Sequence, residues 1–146
     1  MPLANMPSIA HGLMLESGAG SAQVMMYAQV RGNNQGIIKI TTGAMKRSPA
    51  AGATQTERDS RLSALLDGNQ QAGMLVLSEA CLLAAQKAQS HGFGIVGTNN
   101  TSTSTGCLAY YTERLAQQGL IGIVLAQSPE YVAPTGAQYL ILQWAQ

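Results

Sequence analysis

The sequence predicts an α/β fold: N-terminal helices followed by a βαβ unit that belongs to a larger mixed sheet. Three observations predict it. Apolar residues recur at three- and four-residue spacing from Ala72 to Gln89. Two short apolar runs, Phe93–Thr98 and Leu120–Ala126, follow. An amphipathic stretch, Cys107–Gln118, stands between those runs. Strand, helix and strand in that order are expected to lie parallel with a right-handed crossover. Near-continuous apolar strands suit a sheet covered on both faces.

The elements follow in chain order. Residues 1–20 are punctuated by Pro and Gly and end in S-G-A-G, which predicts a short or poorly ordered helix and a break. Ser21 is the expected cap of a helix from Ala22 to about Val30, with Val24, Met25 and Ala28 on the packed side. R-G-N-N-Q-G is turn-like, and Ile37–Ile40 is too short to assign between helix and strand. Residues 41–61 carry Thr, Gly, Ala, Ser and Pro with six charges, an exposed arm with room for a strand in 53–58. Leu62–Leu66 is apolar and stops at Asp67-Gly68, a turn signal.

The helix over 72–89 places Met74, Leu77, Cys81, Ala84, Ala85 and Ala88 on one face. His91-Gly92 ends it, since histidine suits the negative end of the helix dipole and glycine the left-handed cap. The second helix aligns Leu108, Tyr111, Leu115 and Gln118 and closes at Gly119. Beyond Ser128-Pro129 the pattern turns irregular, then ends in Y-L-I-L-Q-W-A-Q.

Composition limits the function. Charged residues are 10% of 146, against roughly 25% in an average protein. Eight basic against seven acidic residues leave no surplus for a phosphate backbone, so no nucleic-acid partner is expected. No apolar run approaches a membrane span and no secretory signal is visible, so the expected setting is cytoplasmic, with no membrane partner. Cys81 and Cys107 have no metal-ligand spacing and read as packed thiols; no metal is expected.

The chemistry on offer is sparse. The two histidines are His11 and His91, and no triad order, H-E-x-x-H or C-x-x-C occurs. G-F-G-I-V-G matches the dinucleotide fingerprint in letters. Its glycines fall before and inside the strand, where they cannot meet a pyrophosphate at a helix N-terminus. The loop Thr101, Ser102, Thr103, Ser104, Thr105 and Gly106 follows a strand and precedes a helix. Two readings stand equal: its amides and hydroxyls hold an anion, or they merely cap the helix.

Several segments together resemble one family. They are A-Q-V-R-G-N-N-Q-G-I-I-K-I, L-L-D-G-N-Q-Q-A-G, A-Q-K-A-Q-S-H-G-F-G-I-V-G, N-T-S-T-S-T-G-C-L-A-Y-Y, L-A-Q-Q-G-L-I-G-I-V-L-A-Q-S-P and V-A-P-T-G. In order and spacing these resemble the malate/L-lactate dehydrogenase family. That family also includes ureidoglycolate and sulfolactate dehydrogenases and is distinct from the Rossmann-type enzymes of similar name. The resemblance implies a non-Rossmann fold, hydride transfer between NAD or NADP and a small 2-hydroxy or 2-oxo acid, and a homodimer sharing active-site parts.

The carry-over of site residues is partial. The family's S-H-G histidine corresponds to Gln35, and glutamine cannot cycle a proton near neutral pH. The family's arginine, which resembles a substrate-carboxylate binder, corresponds to Lys39, which keeps the charge without the bidentate fork. The N-S-x-H-x-G loop beside the cofactor corresponds to Thr101–Gly106, with Ser104 at the histidine.

The resemblance divides the chain into 1–21, a family-like part over 22–137, and an aberrant tail over 138–146 where the family continues to G-T-N-P. A C-terminally truncated member is therefore expected. One choice of codons for Tyr139–Gln146, read in another frame, encodes Phe-Asp-Pro-Ala-Val-Gly-Thr, a segment of the family's kind. The expected function is that of the family, carried by a fragment inactive alone. The alternative is a non-catalytic remnant that pairs with full-length paralogues.

Overall fold

The computed structural model describes residues 20–33 and 46–127. Helix α1 covers residues 20–30, β1 Gln55–Asp59, β2 Ser63–Asp67, α2 Gly73–His91, β3 Ile95–Asn99 and α3 Leu108–Ala116. The sheet order is β1-β2-β3, with β1 antiparallel to β2 and β2 parallel to β3. This is the expected α/β class with a βαβ unit in a mixed sheet.

The unit is built one step earlier than expected. Its strands are β2 and β3, joined through α2. Leu120–Ala126 forms no strand with Phe93–Thr98; the one bridge residue in that neighbourhood is Gln127. The reason lies in what the segment touches. Val124 packs against the cluster of Ala22, Val24, Met25, Met74 and Tyr111, and Gly122 sits tight on the Leu115 side chain. The segment thus packs on the helical layer through Gly122 and Val124.

Helix α2 lies between two layers, so it buries more than one face. Gly73, Met74, Val76, Ala80, Ala85 and Lys87 are buried; of the face its spacing predicts, Met74 and Ala85 are among them, while Leu77, Cys81, Ala84 and Ala88 are half-buried. Ala64 and Leu66 of β2 are the buried sheet positions, alternating with half-open Leu65 as a strand requires. On the other side α1 supplies Val24 and Met25, and α3 supplies Tyr111 and Leu115. Each fully buried side chain of this size contributes roughly 1.5–3 kcal/mol.

Glycines follow α2 and α3 as the sequence predicts. Gly92 takes φ 80° and returns its N–H to the Ala88 carbonyl. Gly119 takes φ 74° after α3. Ser21 departs from its expected role: it lies inside α1, fully buried, and its hydroxyl has no partner among the described residues. The glycines of G-F-G-I-V-G are the α2 cap, the link after it and mid-β3, so no phosphate-binding turn forms there.

Polar contacts at Lys87 and at Glu113 tie the layers. Lys87, nearly buried on α2, reaches Asp59 of β1 at 2.5 Å and donates to the Ser60 carbonyl at 2.6 Å. It thereby fastens the hairpin turn to the helix. The Tyr27 hydroxyl donates to Glu113, and Arg31 pairs with the same carboxylate at 3.2 Å, fixing the end of α1 against α3. The hydrogen bond to Glu113 pushes the Tyr27 phenol upward.

The β1 edge of the sheet is charged. All of β1, Q-T-E-R-D, is exposed, and its register slips between Thr56 and Arg58. Charge and a bulge on an edge strand discourage pairing with another chain.

Candidate functional site

In parallel α/β units, ligands gather beyond the carboxyl ends of the strands. Here those ends are Asp67 and Asn99, which face each other in register. Two loops leave this point, 68–72 toward α2 and 100–107 toward α3.

The loops continue the pairing of the strands. The Gly68 N–H donates to the Asn99 carbonyl at 3.0 Å, and the Gln70 N–H to the Asn100 carbonyl at 2.9 Å. The Ser102 N–H then donates to the Gln71 carbonyl at 2.9 Å, and the Ser102 hydroxyl reaches the same oxygen at 3.2 Å. Finally the Gly73 N–H donates to Thr103 Oγ1 at 3.2 Å. Ala72, the residue before α2, offers no side-chain cap, so Thr103 supplies one from the neighbouring loop.

Two glycines make this approach possible. A Cβ on Gly73 would sit 2.5 Å from the Thr103 carbonyl oxygen. A Cβ on Gly68 would sit 2.9 Å from the Thr101 methyl and 3.0 Å from the Asn99 carbonyl oxygen. D-G-N-Q-Q-A-G and N-T-S-T-S-T-G, distant in sequence, are therefore one packed unit.

The far end of the hydroxyl loop is anchored in the helical core. Tyr111 is 1% exposed and donates its hydroxyl to the Thr105 carbonyl at 2.7 Å. Burial pushes its phenol far above the ordinary tyrosine range and pushes the neighbouring Cys81 thiol up to about 11. Both groups are therefore protonated at neutral pH and serve packing. Ser104 Oγ accepts the Gly106 N–H at 3.1 Å, and Gly106 turns the chain with φ 74°.

The capping by the hydroxyl loop serves α2, through Thr103, and the loop's own turn, through Ser104. Helix α3 begins after Cys107 with no side-chain cap, so the first N–H groups of that helix, which have no intrahelical acceptor, are not satisfied by the loop's hydroxyls. Hydroxyls and helix-start amides together make a donor set that suits an anionic group. Gln35 and Lys39 lie outside the described residues. Among the described residues no cluster of three or more His, Cys, Asp or Glu could hold a metal, and no helix is long and apolar enough to cross a membrane.

Sequence reasoning passed over Asp67, Gly68 and Gly73 as site residues and read Asp67-Gly68 as a turn. The available signal was the pair of glycines five residues apart around a polar run, directly after an apolar strand.

The chain matches the malate/L-lactate dehydrogenase family over residues 8–142. It is 33% identical over 132 residues to ureidoglycolate dehydrogenase (NAD(+)) of Escherichia coli O157:H7, covering 86% of this chain and 37% of that protein. It is 43% identical over 79 residues to malate dehydrogenase of Pyrococcus abyssi, covering 54% of this chain and 22% of that protein. The solved malate dehydrogenase of Pyrococcus horikoshii OT3 superposes with a TM-score of 0.74 at 28% identity, covering 94% of this chain and 42% of the other. The chain thus spans about two fifths or less of the length of these relatives. A match running through the strands, the paired loops and α3 leaves one conclusion: this chain belongs to the malate/L-lactate dehydrogenase family.

Proposed function

We propose that the chain is the nucleotide-facing N-terminal portion of an NAD(P)-dependent 2-hydroxy-acid oxidoreductase that works in the cytoplasm as a homodimer. The observation that carries this reading is the hydroxyl loop Thr101–Gly106, held beyond the carboxyl ends of β2 and β3 at the uncapped start of α3. One similar protein is named for NAD(+), which favours NAD over NADP. The residues fit such a group: Thr101 and Thr105 with the first amides of α3 would hold its anionic part, while Ser102 stays bound to the Gln71 carbonyl. When bound, the nicotinamide supplies or accepts the hydride of the 2-hydroxy/2-oxo acid pair.

The chain's own contribution is binding and orientation. Lys39 would pair with the substrate carboxylate as a point charge. Gln35 would donate its amide to the carbonyl oxygen without moving a proton. The 146 residues alone are then expected to bind the dinucleotide and to turn over negligibly. Titration with NADH and NADPH, followed by nucleotide fluorescence, should show saturable binding. Thr105→Glu should weaken it about tenfold through like-charge repulsion. No binding by the unsubstituted chain, or equal binding by Thr105→Glu, sinks the assignment.

One observation favours a second reading, an interaction module. Ile121, Ile123 and Leu125 are 98%, 81% and 76% exposed and alternate with half-buried Gly122, Val124 and Ala126. This is the pattern of a strand with one face packed and one face awaiting a cover. A longer member of the family would supply that cover. Co-expression with such a member should yield a complex, and Ile123→Lys should abolish it. A chain that stays uncomplexed, or a complex indifferent to Ile123→Lys, rules this reading out.

A further inference from the structure

Among the described residues, three non-glycine residues take left-handed backbone conformations, and all three meet at one point. Asn69 has φ 46°, Gln70 φ 60° and Asn100 φ 50°. L residues keep such conformations only where their surroundings over-determine them, and such places concentrate at ligand sites. The surroundings here converge on one oxygen. Asp67 Oδ1 accepts the Asn69 N–H at 2.7 Å and the Asn100 side-chain amide at 2.7 Å. Gln70 completes the set by donating its side-chain amide to Asn100 Oδ1 and its backbone N–H to the Asn100 carbonyl.

We infer that Asp67 is the positioning residue of the hydroxyl loop: by clamping Asn69 and Asn100 it sets where Thr101–Gly106 presents its donors to an anionic nucleotide. The inference deepens, and rests on, the reading of that loop as cofactor-facing. Its physical basis is geometric. Asp67 is the last residue of β2, rigidly paired with Asn99, so its carboxylate transmits the position of the sheet to both loops. A carboxylate accepting two N–H bonds is a stronger clamp than a neutral acceptor. Asn100 immediately precedes Thr101, so the backbone angle held there sets the direction in which the hydroxyl loop departs.

The test compares the full chain with Asp67→Ala, Asp67→Asn and Asn100→Ala. Two quantities are read: NADH affinity by fluorescence, and amide hydrogen exchange at Ser102 against the middle of α2. Asp67→Ala should weaken NADH binding and speed Ser102 exchange, each by about tenfold or more, the scale of losing charge-assisted hydrogen bonds. Ala80–Ala84 should keep its rate. Asp67→Asn retains an acceptor oxygen without the charge and should recover part of both effects, and in every variant the unchanged exchange of mid-α2 separates loss of the clamp from loss of bulk stability. Asn100→Ala, which removes an exposed arm of the clamp, should follow Asp67→Ala even if that variant does not fold.

Unchanged exchange at Ser102, acceleration spread evenly through α2, or no rescue by Asp67→Asn each overturns the inference. If the unsubstituted chain binds no NADH, the cofactor reading fails separately. Ser102 exchange then still decides whether Asp67 positions the loop.

Discussion

Tyr111→Ala should lower the stability of the fold by about 3–5 kcal/mol, as large-to-small changes of buried aromatic residues do. Tyr111 is the largest fully buried side chain of the described residues and belongs to the cluster where α1, α2 and α3 meet. Removing it empties the centre of that cluster, and the flanking helices cannot close the gap while α2 is also held by the sheet. The companion variant separates two contributions. Tyr111→Phe keeps the ring and loses the half-buried hydrogen bond to the Thr105 carbonyl, so it should cost about 0.5–1.5 kcal/mol, the net scale of one hydrogen bond. Chemical denaturation followed by far-UV circular dichroism measures both. Equal losses for the two variants contradict the packing argument, because the ring then contributes nothing beyond its hydroxyl.

Gly73→Ala should destabilise the chain by about 1–3 kcal/mol, the cost of overpacking a close contact. Helix propensity alone predicts the opposite sign, since alanine is better than glycine in a helix by about 1 kcal/mol. The difference comes from the neighbouring loop. A methyl at Gly73 meets the Thr103 carbonyl oxygen at 2.5 Å and the Ser104 carbonyl carbon at 3.2 Å, and both belong to backbone that cannot rotate aside. Relief requires the hydroxyl loop to lift, which also breaks the bond from the Gly73 N–H to Thr103. The same denaturation experiment gives the sign. A more stable Gly73→Ala shows that the loop does not lie where the packing places it.

The helices were legible in the sequence to within a residue or two because their signals are local. The face Leu108, Tyr111, Leu115 fits the observed burial of Tyr111 and Leu115, and His91-Gly92 and Gly119 end their helices as such residues do. The strands were less legible. Leu120–Ala126 and Phe93–Thr98 have the same apolar character, yet only the second contributes a strand, Ile95–Asn99. A short apolar run states that a segment wants cover and leaves open what covers it. The first finds its cover on the helices through Gly122 and Val124, the second beside β2.

The candidate site divides in the same way. The hydroxyl-rich composition of Thr101–Gly106 and its place between strand and helix were visible as letters. That Thr103 caps α2, rather than the helix that follows it, depends on a hydrogen bond across 30 residues of sequence. Asp67 joins the two loops across 33 residues. No local pattern encodes such partners.

Sequence by itself determined the class of fold, the helix limits and the family, because periodicity, caps and motif order are properties of neighbours along the chain. Tertiary structure alone decided which strands pair, which glycines admit a loop and which carboxylate holds it. Those outcomes depend on distances between segments that meet only when the sheet and helices close on one another.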